Sequence, residues 1–240
     1  MKIKSLIIAL FLLVLLIPYI VMGGTQTASG LTGANIIAAA RYRLGAISAS
    51  SVTDPFYSDT EMIRWVNDGL YDICKKTGAL QTTEAETLVA ATVEYALTSL
   101  YFEIVGVVLN KTDGTKVGLK KGNIWSVGQT DIDFKPAAQK VPGYWYEFGG
   151  KVGVYPPYST VSKETITAYL SIIPAVIASD GAVPTPGMYD KALILYVEAQ
   201  GHKKAGNLNA YNATMEEYYT ELGIDKTNTV PSEKEQEVVE

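Results

Sequence analysis

The clearest hydrophobic pattern in the chain is helical and covers residues 58–78. Apolar side chains recur every three or four positions on one face of this segment, and charged side chains occupy the other face. Ser58 and Glu61 have the capping-box spacing that satisfies free amides at a helix start, and Gly78 is typical of the position just past a helix end. Asn67 lies at the edge of the apolar face, where a polar amide usually bonds to the backbone of a neighbouring loop. We therefore predict an amphipathic helix and favour a structural over a catalytic role for Asn67.

Three further segments also predict helices. Residues 32–44 are rich in good helix formers and are followed by a glycine. A second segment covers residues 185–206, where Thr185 can cap the helix and Pro186 can take its first position. Apolar and aromatic residues recur at helical spacing again over 211–222. The short break between the last two segments predicts an antiparallel helix pair.

The hydrophobic period changes to two between residues 83 and 173, where β-branched and aromatic runs alternate with turn residues. Asp113-Gly114 and Gly149-Gly150 predict hairpin turns, because these pairs readily take positive φ angles. The candidate strands are 86–92, 94–99, 101–110, 144–150, 151–157 and 165–173. The predicted fold class is therefore α+β, with a helical bundle near the two termini and an inserted antiparallel β-rich module.

The two ends of the chain differ from this core in composition. Residues 1–30 carry two early lysines, a long apolar run and then small residues, which is the layout of a secretory signal peptide or of an uncleaved membrane anchor. Residues 224–240 are polar, acidic and aperiodic, which predicts a disordered tail. The tail retains Val230, Val238 and Val239 as possible anchors for a partner. The predicted organisation is 1–30 leader, 31–82 helices, 83–174 β module, 175–223 helices and 224–240 tail.

Composition limits the chemistry that this chain can perform. A formal net charge of −5 over 240 residues argues against a nucleic-acid-binding surface, which needs an excess of Lys and Arg. Cys74 and His202 are the only residues of their types. The chain therefore lacks the several Cys and His residues that common metal-ligand sets and nucleophile–base arrangements need. We expect Cys74 to be a buried, inert thiol and His202 to interact with a helix C-terminus. Asp131 and Asp133 share one side of a strand, but nothing nearby completes a calcium site. We therefore predict no metal site, no cofactor site and no nucleophile–base arrangement.

Residues 144–160 form the most aromatic part of the predicted β module. Tyr144, Tyr146 and Tyr155, together with Trp145, flank the tight turn at Gly149-Gly150. Such alternation most simply builds two faces of a sheet, one packed and one exposed. Packing in the core is the favoured interpretation of these rings, an interface with another protein is the second, and small-ligand binding is the third.

The order of these parts resembles the head-to-tail adaptor (connector) proteins of tailed bacteriophages. The resemblance covers roughly residues 31–223. It rests on "DTEMIRWVNDGLYDICKKTGAL" at 59–80, "VPGYWYEFGGKVGVYPPYS" at 141–159, "TITAYLSIIP" at 165–174 and "PTPGMYDKALILYVEAQ" at 184–200. The segment Tyr95-Ala96-Leu97-Thr98 lacks the proline that usually follows the Tyr and Leu in this family.

The resemblance implies a structural virion protein without enzymatic activity. It implies a ring of twelve copies that binds the portal protein on one side and a tail or nozzle protein on the other, with C-terminal segments reaching onto the portal. DNA would pass through the ring without specific binding, which suits the acidic balance of the chain. The hairpin at 144–160 would face a neighbouring subunit or the tail.

The apolar leader favours a second hypothesis. Adaptors assemble in the bacterial cytoplasm and need no export signal. Residues 1–24, however, have the layout of a secretory signal peptide. The alternative is a secreted or membrane-anchored bacterial protein with a β-rich binding module.

Overall fold

The computed structural model describes residues 28–45, 56–123, 140–158 and 163–224, and these form an α+β structure. Four α-helices and eight strands occur in this part of the chain. The helices are α1 Gly33–Arg43, α2 Asp59–Thr77, α3 Asp190–Lys204 and α4 Leu208–Glu221. The strands are β1 Gln81–Thr87, β2 Glu94–Ala96, β3 Tyr101–Asn110, β4 Lys116–Gly118, β5 Lys120–Lys121, β6 Tyr144–Phe148, β7 Lys151–Tyr155 and β8 Thr165–Ile172.

The helix ends follow local sequence chemistry, with one exception. Thr32 and Asn35 bond each other's backbone amides at the start of α1, and Gly78 ends α2 with a φ of 62°. The predicted start of α3 at Pro186 is wrong. The carbonyl of Thr185 accepts the N–H of Ser29 at 2.9 Å, which holds this part of the chain in an extended pairing. A short 3₁₀ turn, Gly187–Tyr189, follows, and Thr185 does not cap α3.

The four helices share one apolar core. The apolar face of α2 is fully buried in it, as its sequence period predicts. Helix α3 is buried on several sides because it contacts each of the other three helices. Its pairing with α4 is antiparallel, since Lys191 at the start of α3 pairs with Glu221 at the end of α4. Lys203 at the other end of α3 lies over the ring of Tyr211, near the start of α4.

The strands form two four-stranded sheets with the orders β1-β8-β3-β4 and β2-β7-β6-β5. A second apolar core includes side chains from both sheets, among them Ile104 of β3, Leu170 of β8 and Val152 of β7. The two sheets therefore pack face to face as a sandwich. Every strand pair is antiparallel except that of the two-residue β5 with β6, which is parallel.

Several strand predictions are confirmed and one is displaced. Strand β3 has the predicted bounds, and Gly114 and Gly149-Gly150 take positive φ in the predicted hairpin turns. The strand predicted at 86–92 is wrong, because the observed strand β1 ends at Thr87. Beyond it the chain leaves the first sheet for the second, and Ala91 adopts a φ of 62° on the way. Strands β4 and β5 were not predicted, since three and two residues are too short to show a period.

A close approach of ring and backbone shapes the hairpin of β6 and β7. Tyr146 and Gly153 are cross-strand partners, and the Tyr146 ring lies flat against the glycine. A Cβ atom at Gly153 would lie 2.1 Å from Cζ of Tyr146, so a side chain there would displace the ring. This explains why a glycine stands inside a strand, where it is otherwise unfavourable.

We expect Gly153→Ala to lower the free energy of unfolding by about 1–3 kcal/mol, because the buried Tyr146 ring must move to admit the methyl group. Chemical denaturation followed by tyrosine and tryptophan fluorescence measures this change.

The matched control is Gly106→Ala in β3, where no atom lies within 4 Å of the new Cβ. This variant should stay within about 0.5 kcal/mol of the parent chain. Equal losses of unfolding free energy in the two variants would contradict the role assigned to the Tyr146 contact.

Candidate interaction surfaces

The connector between β8 and α3, residues 173–186, lies against the start of α1. The N–H groups of Gly33 and Ala34 donate to the carbonyls of Gly181 and Ser179, at 3.0 and 2.6 Å. The first amides of a helix lack partners within the helix, so the connector satisfies two of them here. Val183 N–H in turn donates to the carbonyl of Leu31 at 2.9 Å. The connector and the segment before α1 are thus joined through backbone groups.

Asn67 in α2 forms hydrogen bonds with the same connector. Its side-chain Nδ2 donates to the carbonyl of Ile177 at 3.0 Å, and its Oδ1 accepts the N–H of Ile177 at 2.8 Å. Nδ2 also donates to the carbonyl of Ile63, one turn back in α2, at 2.9 Å. This amide therefore satisfies both backbone groups of Ile177 while its own orientation is fixed by the helix.

Ser58 and Glu61 have separate roles at the start of α2. Ser58 Oγ accepts the N–H of Glu61 at 3.3 Å and so caps α2. The carboxylate of Glu61 does not complete a capping box; it pairs with the ammonium group of Lys204 in the last turn of α3. Lys204 also donates to the carbonyl of Phe56. Glu61 therefore stabilises the contact between α2 and α3.

Ion pairs also link α1 to its neighbours. Arg41 donates to the carbonyl of Tyr57 at 2.6 Å and pairs with Asp59 at 2.5 Å. Arg43 pairs with the buried carboxylate of Glu198 in α3, and Nε2 of His202 lies 3.7 Å from the same carboxylate. These groups are engaged in holding helices together, which leaves them little freedom to act on a substrate.

The described ranges contain no group of three or more His, Cys, Asp or Glu side chains that could hold a metal ion. Burial raises the pKa of Cys74 to about 11, so its thiol is neutral near pH 7 and is a poor nucleophile. Asp131 and Asp133, the sequence candidates for a carboxylate pair, lie outside the described residues.

The four aromatic residues predicted at an interface differ in exposure. Tyr144 is 45% exposed and Tyr155 is half-buried, whereas Trp145 and Tyr146 are 2% and 1% exposed. The Trp145 ring packs in the core between the sheets, with the ammonium group of Lys121 5.2 Å from its centroid. Burial, followed by the charge of Glu94, raises the pKa of Tyr146 to about 12. Only Tyr144 presents much of its ring to a partner, and its place at an interface stays a prediction.

A further apolar surface, which we term the junction patch, lies where the helical core meets the sandwich. It consists of Tyr71, Leu100 and Phe102, and the exposed Val176 lies in the connector. The rings of Tyr71 and Phe102 meet edge to face at 4.9 Å, and Leu100 and Val176 are 76% and 85% exposed. The carbonyl of Leu100 accepts the N–H of Ile173, which brings this turn against the connector. Sequence reasoning missed the patch because its members come from a helix, a strand and a loop.

Most of the predicted leader and tail lies outside the described residues. Val230, Val238 and Val239 lie outside the described residues, as does the apolar leader up to residue 27. Within the ranges that the structure describes, no helix has the length and apolar character needed to cross a bilayer.

Comparison with protein families finds a match over most of the chain. A family model described as SU10 adaptor protein matches residues 31–233. No curated protein matches the chain. The matched range includes the four helices and eight strands of the described residues.

We expect Asn67→Ala to lower the free energy of unfolding by about 1–3 kcal/mol, because both backbone groups of Ile177 lose their partner. Thermal and chemical unfolding measure the loss.

Asp68→Ala, at the exposed neighbouring position of α2, is the matched control and should change stability by less than about 0.5 kcal/mol. A shift near zero for Asn67→Ala would contradict the role assigned to its amide.

Proposed function

Because the chain belongs to the SU10 adaptor protein family, we propose that it is a structural component of a phage virion that joins the portal to the tail. The single observation that carries this proposal is the family match over 31–233, which agrees with the sequence resemblance to head-to-tail adaptors. In this role the protein forms a ring, with twelve copies expected from the resemblance. One face of the ring binds the portal protein and the other binds a tail or nozzle protein.

The described structure supports an assembly role in two ways. The junction patch exposes large apolar side chains that a monomer would normally bury or replace. Several charged side chains of the helices form ion pairs between helices, and such an α+β body suits a building block better than a catalyst. We interpret the four helices as the bundle expected of an adaptor, with the sandwich as its inserted module.

We further propose that DNA passes through the ring without specific binding. The formal net charge of −5 supports this, because an acidic surface repels phosphate groups. The protein would then act without a cofactor or an enzymatic step.

A second candidate is a secreted or membrane-anchored bacterial protein, which the signal-like residues 1–24 favour. Genes for portal, capsid and tail proteins beside this one would support the adaptor, and genes for surface or secretion proteins would support the alternative. Cell fractionation of the expressed chain separates the two further, since the alternative requires membrane or periplasmic recovery.

The adaptor proposal predicts ring-shaped oligomers. Residues 1–240, and a second version without residues 1–30, should form rings alone or on the portal of the same phage, and should be visible by native mass spectrometry and electron microscopy. A chain that remains monomeric and unbound to portal at micromolar concentration would contradict the proposal.

We also propose that the residues of the tail, 224–240, dock on the portal. Their composition cannot bury enough apolar surface to fold alone, while acidic side chains can steer the segment toward a basic partner surface. Deletion of 225–240 retains Ile224, whose N–H donates to the carbonyl of Tyr219 at 2.9 Å. The deletion should leave the melting temperature unchanged and weaken portal binding, more strongly at low salt.

A triple substitution of Val230, Val238 and Val239 by serine separates the two contributions of the tail. It keeps the charge, so it should weaken portal binding without changing the salt dependence. Unchanged portal binding after the deletion would show that the tail has no docking role.

A further inference from the structure

One stretch of this acidic chain is basic. Residues 111–140 contain six Lys, three Asp and no Arg or Glu, which gives a formal charge of +3. Since the whole chain carries −5, the rest of it carries −8. The described part of the stretch contains five of the six lysines and one carboxylate, that of Asp113. The positive charge is therefore concentrated in residues that the structure places.

These five lysines lie along one side of the sandwich. Strand β4 is an edge of the first sheet and β5 is an edge of the second, and Leu119 alone connects them. Lys111 begins the turn that leads into β4, and its N–H donates to the carbonyl of Thr115 at 2.9 Å. The N–H of Lys120 donates to the carbonyl of Gly143 at 3.0 Å, which brings the segment before β6 to the same side. We call this surface the lysine side; it consists of Lys111, Lys116, Lys120, Lys121 and Lys140.

The described residues neutralise little of this charge. Of the five ammonium groups, only that of Lys121 forms an ion pair with a described residue, since Glu103 lies 3.8 Å away. These two side chains are 58% and 65% exposed, so their pair contributes little. The carboxylate of Asp113 accepts a backbone N–H inside its own turn at 2.8 Å. The lysines other than Lys111 are exposed, so most of the positive charge is available to a partner.

An exposed aromatic ring lies within the lysine side. Tyr144 is the strand partner of Lys120, and 45% of it is exposed. Gly122 lies beside it and has no side chain to cover the ring; a Cβ atom placed there would lie 3.7 Å from Cβ of Tyr144. Lysine ammonium groups and tyrosine hydroxyls both donate to phosphate oxygens in complexes with DNA. The lysine side therefore combines two kinds of phosphate donor.

The chemistry of this surface favours a phosphate polymer over a protein as its partner. Interfaces between proteins are depleted of Lys and enriched in Arg, whereas the lysine side has five Lys and no Arg. An ammonium group on a flexible stem neutralises a phosphate without reading a base, so such contacts are independent of sequence and allow DNA to slide. The acidic remainder of the chain does not prevent them, because salt screens charges that lie more than about 8 Å apart at physiological ionic strength.

We propose that the lysine side contacts the phosphate groups of duplex DNA, whatever their base sequence, as DNA passes through the ring. The acidic remainder of the chain then keeps DNA away from the other surfaces of the channel. This inference rests on the proposed function, because it names the surface that each copy presents to the DNA.

The test measures binding of residues 1–240 to short duplex DNA by fluorescence anisotropy, with several base sequences and a series of salt concentrations. Binding should not depend on the sequence and should weaken steeply as salt rises. Lys116→Gln/Lys120→Gln should weaken binding at least about tenfold at low salt. It should also make the plot of log K against log salt shallower by up to about 2, because each lost phosphate contact removes about 0.9 from the slope.

The matched control is Arg64→Gln/Lys75→Gln on α2, which removes the same charge from two exposed side chains. This variant should bind DNA within about twofold of the parent chain and keep the same salt dependence, because α2 makes no phosphate contact. Thermal unfolding shows that each variant has folded before its DNA binding is compared.

Equal losses of DNA affinity in the two variants would overturn the contact, because net charge alone would then explain both. A parent chain that forms rings and does not bind DNA would also overturn it, and the proposed function would stand. Loss of portal or tail-protein binding in Lys116→Gln/Lys120→Gln would in that case identify the lysine side as a protein interface. If the parent chain forms no ring even with portal, the proposed function fails, whereas DNA binding that depends on Lys116 and Lys120 would still support the surface contact.

Discussion

The hydrogen bonds between the Asn67 amide and both backbone groups of Ile177 hold the connector between β8 and α3 against α2. The connector that contains Ile177 has no helix or strand of its own to satisfy its backbone, yet it lies against the helical core. A backbone donor and acceptor in such a place lose water and need another partner. A single side-chain amide supplies both bonds, and its third bond, to Ile63, fixes its orientation. This contact therefore helps to fix the path of the chain from β8 to α3 over α2.

The start of α1 depends on that course. Its first two amides donate to the connector carbonyls of Gly181 and Ser179. These carbonyls take the place of the water molecules that would bond the same amides in an isolated helix. The extended pairing of Ser29 with Thr185 continues the same arrangement and delays the start of α3 by one 3₁₀ turn. Segments far apart in the chain thus fix one another, and the helices pack around α3 as a result. The β sandwich is joined to this unit at one end, where Tyr71 meets Phe102.

These dependencies explain which features a single sequence could predict. Helix α2 was predictable because its period, cap and terminal glycine all act within a few residues of one another. The hairpin turns at Gly114 and Gly149-Gly150 were predictable for the same reason. The start of α3, the end of β1 and the short strands β4 and β5 depend on pairing with distant segments, which leaves no local signal. Asn67 was identifiable as a polar residue at the edge of an apolar face, but its partner lies 110 positions away.

The aromatic hairpin shows a further limit of prediction from composition. Trp145 and Tyr146 are adjacent in β6, so their side chains point to opposite faces of the sheet, and alternation alone predicts that one of them is exposed. Both are buried because the sheet core covers one face and Gly153 leaves room for a ring to lie flat on the other.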